Sequence, residues 1–173
     1  SEVAGLAKVG PIRNHADGVM EVLASPLTAV HVVTLLEPMP VQETQDGVAE
    51  LRAAGLPVGG VFINMVRAPL LPSRALTSAA AGRLDTTGVA ADLAAADLTG
   101  PGGVLADVDP DGAVAVLAEQ ARQHAVRVRL GAQERRQVAG LHRPTYDLPW
   151  LADGVDLGAL YELAAELRRQ GAA

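Results

Sequence analysis

Few side chains in this sequence could do chemistry, and the most suggestive of them is an amide. The stretch "VGGVFINMV", residues 58 to 66, is built like a buried strand yet carries Asn64 near its far end, with Met65 beside it and then Arg67 and a proline-marked loop. In an open parallel sheet, ligands sit outside the carboxyl ends of the strands. A carboxamide there offers one acceptor and a pair of donors, the complement of an adenine edge with its exocyclic amine and ring nitrogen. A second rim, "DLPWL" at residues 147 to 151, would bring Leu148, Pro149 and the indole of Trp150 to the same side. Amide and indole together would make a slot for a flat base. The plainer role for Asn64 is to cap the loop "MVRAP" through its own backbone.

Other candidates have stronger structural explanations. Glu37 and Glu43 flank the start of a predicted helix and could share acid/base work if they converged. Alternatively, Glu43 sits in the first helical turn, where a negative charge is favoured by the helix dipole. The run "DVDPDG" at 107 to 112 imitates the opening of a calcium loop, but its twelfth position is Ala118 where a bidentate glutamate is needed. Aspartates capping a helix are the better reading there. His31 and His124 have no nucleophile or metal partner in the pattern and are expected to be packed or hydrogen-bonded. No G-x-x-x-x-G-K-[ST] segment exists to cradle a triphosphate, and Gly59 and Gly60 do not open a helix as a dinucleotide fingerprint requires. The sequence therefore offers no catalytic residue of its own.

Composition narrows the classes further. With 173 residues, 49% of them hydrophobic, the chain suits one ordinary α/β domain over residues 1 to 173. It has no cysteine, and its four histidines are scattered, so neither disulfides nor a metal site is expected. No long apolar run and no signal-like N-terminus appear, which predicts a cytoplasmic protein without a membrane span. The net charge is −6, and the one basic cluster, Arg122 to Arg143, lacks interleaved aromatic residues. That cluster reads as a solvated helix face and predicts no nucleic-acid partner.

The elements that would position these residues follow from periodicity. Residues 2 to 24 space Val3, Leu6, Ala7, Ile12, Ala16, Val19, Met20 and Leu23 as an amphipathic helix, interrupted at Gly10 and Pro11. "AVHVVTLL", 29 to 36, is a continuous apolar run of the kind found in strands covered on both faces. Residues 37 to 57 begin with prolines and stop at Gly55 and Pro57, as a crossover helix does, so 29 to 66 form a βαβ unit. From 85 to 111 the chain turns to Asp, Ala, Gly and Thr, which marks the expected mobile stretch. A long helix over about 112 to 139 repeats Val114, Leu117, Ala121, His124 and Val128. A third strand follows at 144 to 151. The last helix, capped by Asp156, aligns Leu157, Leu160, Tyr161, Ala164 and Leu167 on one face.

"VHVVTLLEPMPVQETQDGVAELRAAGLPVGGVFINMV" and "LPWLADGVDLGALYELAAELRRQG" together resemble the second half of the ArsA-type anion-transporting ATPases, in the form found in actinobacteria. That family also includes the ATPases that deliver tail-anchored membrane proteins. The resemblance covers residues 3 to 66 and 144 to 171 and leaves the segment between them poorly matched. It implies an α/β fold that is part of a P-loop NTPase-like parallel sheet flanked by helices, with residues 67 to 142 as a helical insert.

It further implies that Asn64 reads the adenine of ATP or ADP and that Leu148, Pro149 and Trp150 pack against the base, while Met65 adjoins it. The phosphate-binding loop and the Mg²⁺-coordinating residues would belong to an N-terminal half preceding these residues, and the working form would be a dimer. "VRAPLLPS" replaces the zinc-binding Cys-x-x-Cys of some members, so zinc would not join the subunits. The alternative is a non-enzymatic module that pairs with a full-length ATPase subunit or holds an apolar client segment.

Overall fold

The computed structural model describes residues 11–172. Their contacts cluster into two compact units, one formed by the residues up to Arg67 and from Gln133 onward, the other by Ala68–Ala132.

The first unit holds a three-stranded, wholly parallel sheet in the order β1 (Val30–Thr34), β2 (Val58–Val66), β3 (Thr145–Pro149). Helix α1 (Pro11–Ala24) precedes the sheet, and the Gly10 junction predicted to interrupt it lies outside the described residues. Helix α2 (Pro38–Ala53) links β1 to β2. Proline in its first turn costs no hydrogen bond because those amides lack intrahelical partners anyway. The helix stops at Gly55, whose left-handed φ of 72° lets Leu56 N donate back to Leu51 O over 2.9 Å.

Val41 of α2, Val61 and Ile63 of β2, and Val138 form the buried core of this unit, with Leu36, Val66 and Leu141 packed on it. Removing each such side chain from water contributes about 1.5–3 kcal/mol. Val138 lies near the end of the long helix α5 (Pro110–Ala139). The βαβ unit, the third strand and the closing helix α6 (Leu157–Arg169) all stand where the sequence places them.

Two packing expectations need correction. β1 is covered on one face only: Val30, Val32 and Thr34 turn inward, whereas His31 is exposed and Val33 is 63% exposed. An unbroken apolar run hides this alternation, because both faces carry valine. In α6 and its C-cap the half-buried residues are Ala159, Leu163, Glu166, Leu167 and Gln170, a stripe rotated from the apolar one read in the sequence. Leu157 and Tyr161 are 69% and 70% exposed.

Glycine is required in β2 by neighbouring rings. A Cβ on Gly59 would stand 2.6 Å from the ring of His31, and one on Gly60 would stand 2.6 Å from the ring of Tyr146. Phe62 lies between these rings in the sheet, 5.3 Å from His31 edge-on and 5.1 Å from Tyr146.

The second unit contains α3 (Ser73–Ala80), α4 (Thr86–Ala95) and the first part of α5. Sequence reading assigns neither α3 nor α4. The latter is capped by Asp85, whose carboxylate accepts from Gly88 N over 3.1 Å. Ala79, Ala113, Val114 and Ala125 are buried. No helix among the described residues is long and apolar enough to cross a membrane.

Candidate functional site

The carboxyl end of β2 is irregular at the residues singled out. Ile63 pairs with Asp147 and Val66 with Pro149, so three steps along β2 match two along β3. The extra residue is a β-bulge, a local kink that re-aims side chains. Met65 carries the strain, with a left-handed φ of 56° that costs a non-glycine residue on the order of 1–3 kcal/mol. Its amide donates to Asn64 Oδ1 over 2.9 Å, which fixes the carboxamide against its own backbone. An amide oxygen has two lone pairs, so this bond takes half of its accepting capacity.

β3 delivers the second wall. Leu148 is half-buried inside the strand, Pro149 closes it, and Trp150 N donates to Val66 O over 2.9 Å. That bond ties the start of the Trp150 loop to β2 one residue past the bulge. The five predicted residues thus fall on two adjacent strand ends, with Met65 50% and Trp150 40% exposed. The guanidinium of Arg67, which follows β2, lies over the Trp150 ring with Cζ 3.9 Å from its centre. Sequence reading did not pair these residues, and an arginine just after a strand is the only hint it gave.

Trp150 also borders a cavity of 370 Å³ shared with Asp153, Asp156, Gly158 and Glu162. No basic residue lines it, so its chemistry suits hydroxyl or amine donors better than phosphates. Asp156 is already engaged, accepting from Ala159 N over 2.8 Å as the cap of α6. Of the five residues singled out in the sequence, only Trp150 lines this cavity.

The remaining candidates resolve into structural roles. Glu37 is the N-cap residue of α2 without a side-chain capping bond, and Glu43 falls in the second turn, correcting its expected place in the first. Six residues along a helix amount to about 600° of rotation, which turns Glu43 well away from Glu37. His31 Nδ1 accepts from Gly60 N over 2.9 Å, and His124 Nε2 accepts from Leu70 N over 3.0 Å. Asp109 caps α5 by accepting from Gly112 N over 2.7 Å, as expected for the calcium-like run.

Within the basic cluster, Arg127, Arg129 and Arg136 are exposed, while Arg122 chelates Glu119 through two bonds of 2.8 and 2.7 Å. The hydrogen bond from Arg122, followed by that from Gln123, holds the Glu119 carboxyl down to about 2. Arg135 pairs with Asp147 over 2.8 Å, and Arg143 Nε donates to Gly59 O over 3.1 Å. Among the described residues, no three metal-ligating side chains gather as a group.

No protein-family profile matches the chain. It is 41% identical over 169 residues to a Mycobacterium tuberculosis (strain H37Rv) protein named ATPase BagA, across 98% of this chain. A Mycobacterium bovis protein that also has ATPase in its name matches to the same extent. The chain spans 47%, about half, of the length of these relatives.

Proposed function

We propose that this chain is the adenine-side portion of an ArsA-type ATPase, in which residues 67 to 142 form a helical insert. The observation that carries the reading is the Asn64 carboxamide at the carboxyl end of β2, anchored by Met65 N–H on a bulge and flanked by the Trp150 loop. Asn64 would read the amine and ring nitrogen of adenine, while Pro149 and Trp150 would hold its plane. The adenosine end would suit this rim, where an amide lies on the β2 bulge and an indole borders an acidic cavity.

Phosphate binding, Mg²⁺ and hydrolysis would fall to the other half of the protein. Similarity to proteins named ATPases supports the reading. Coupling to anion export or to handling of an apolar client, dimeric assembly and a cytoplasmic location are parts of the same proposal.

The test is to replace the residue matching Asn64 with alanine in a full-length relative. Selectivity for ATP over GTP in hydrolysis should fall by about five- to 150-fold, the worth of one bidentate base contact. Unchanged selectivity in a folded protein would sink the reading.

A second reading, an interaction module without enzymatic activity, is favoured by the exposed Val33 face of β1 and the exposed apolar residues of α6. Open strand edges and apolar patches of this kind invite partners. In that case, Asn64→Ala would leave ATP affinity unchanged, and binding to a full-length ATPase subunit or an apolar helix would be the activity lost on altering Leu157 and Tyr161.

A further inference from the structure

Trp150 is the one tryptophan of the chain, and one face of its ring already carries a side chain. A guanidinium is planar and delocalised, and it stacks on aromatic faces much as a base does. Here Arg67 Cζ stands 3.9 Å from the ring centre, a single van der Waals thickness that leaves no room for a further ring between them. Backbone contacts fix where both side chains start: Trp150 N is bonded to Val66 O, beside Arg67, and the bulge at Asn64 and Met65 directs the end of β2. Arg67 itself is exposed, so its side chain can swing away without unpacking the core.

We propose that Arg67 is an intramolecular stand-in for the base: it occupies the stacking position on Trp150, and a planar ligand binds there by displacing it. The inference rests on the adenine-side reading above, since Asn64 would supply the edge contact for the same ring. Exposed cation–π contacts are weaker than base stacking on an aromatic side chain, so the exchange runs in favour of the ligand. Arg67 nonetheless lowers apparent affinity, because the competent state is only the fraction in which the indole is uncovered. Lysine keeps the charge but loses the flat stacking surface.

Adenosine is the probe, because it carries no phosphate for Arg67 to attract. It is titrated into the 173-residue chain, with Trp150 fluorescence reporting the stack and equilibrium dialysis reporting binding independently. Adenosine should change Trp150 emission, Arg67→Ala should bind about two- to five-fold more tightly, and Arg67→Lys should fall between. Asn64→Ala should weaken binding whether or not Arg67 is present. Adenosine retained in dialysis without a change in emission, or bound no more tightly by Arg67→Ala, overturns the stand-in and leaves the base reading in place. Adenosine retained by neither the unaltered chain nor Arg67→Ala overturns both.

Discussion

The two edges of the sheet are finished in opposite ways. On the β3 side, Gln170 Oε1 accepts from Asp147 N over 2.6 Å, and Gln170 Nε2 donates to Asp147 O over 2.8 Å. One side-chain amide thus imitates the N–H and C=O that a neighbouring strand would offer. On the β1 side, the described residues supply no strand beyond β1, and Val33 faces outward. Even the inner seam of β1 is loose: its register with β2 slips between Val30 and Val32, and the His31 ring accepts from Gly60 N there. Among the described residues, the β3 edge is occupied at Asp147, whereas β1 has no strand beside it on its outer edge. Proteins close edges that must not pair, so β1 is the edge to examine for a partner.

The sharpest way to break this contrast is Gln170→Leu. The replacement keeps apolar bulk but leaves the N–H and C=O of Asp147 unpaired, at a cost of about 1–3 kcal/mol. Denaturant unfolding should show that loss, and the Asp147 amide should exchange faster with solvent than its neighbours in β2. An unchanged midpoint with unchanged Asp147 protection would mean that the amide plug contributes nothing. A smaller effect is expected at the open side from His31→Phe, which preserves the ring contact with Phe62 and removes the acceptor for Gly60 N. One hydrogen bond to a neutral group is worth about 1 kcal/mol. Loss of protection should be confined to Gly60 and its β1 neighbours, and spread to β3 would contradict the separation of the two edges.

The difference between the edges was only partly legible in the sequence. β2 could be read because its apolar run is bounded by turn residues, and the cap of α6 because Asp156 precedes a helical repeat. The bulge could not be read, since methionine gives no sign of a left-handed φ and the extra residue shows only against β3. The Gln170 plug is a tertiary contact across 23 residues, which local pattern does not encode. α3 and α4 were hidden by small residues: alanine, glycine and serine satisfy a helix without leaving an apolar period to count. Within the candidate site, sequence brought out the amide and the indole. It missed Arg67 because a stacking partner is defined by direction in space.

The smallest expected effect tests what holds the plug. Glu166 Oε1 accepts from Gln170 Nε2 over 2.7 Å, and its other oxygen takes Arg169. These bonds, Arg169 first and Gln170 second, hold the Glu166 carboxyl below its ordinary range. A carboxyl lowered in the folded state contributes stability that is present above its ordinary value and is lost as pH falls through the lowered one. Acid should therefore free Gln170 from one of its restraints and loosen the β3 edge. Glu166→Gln keeps an amide oxygen able to accept from Gln170 but removes the titrating group, so its Asp147 protection should change little as pH falls from neutral through the lowered range of Glu166. The unaltered chain should lose protection at Asp147 over the same interval. Equal acid sensitivity in both proteins would show that Gln170 holds the edge without help from Glu166. The plug would then be a two-bond device confined to residues 147 and 170.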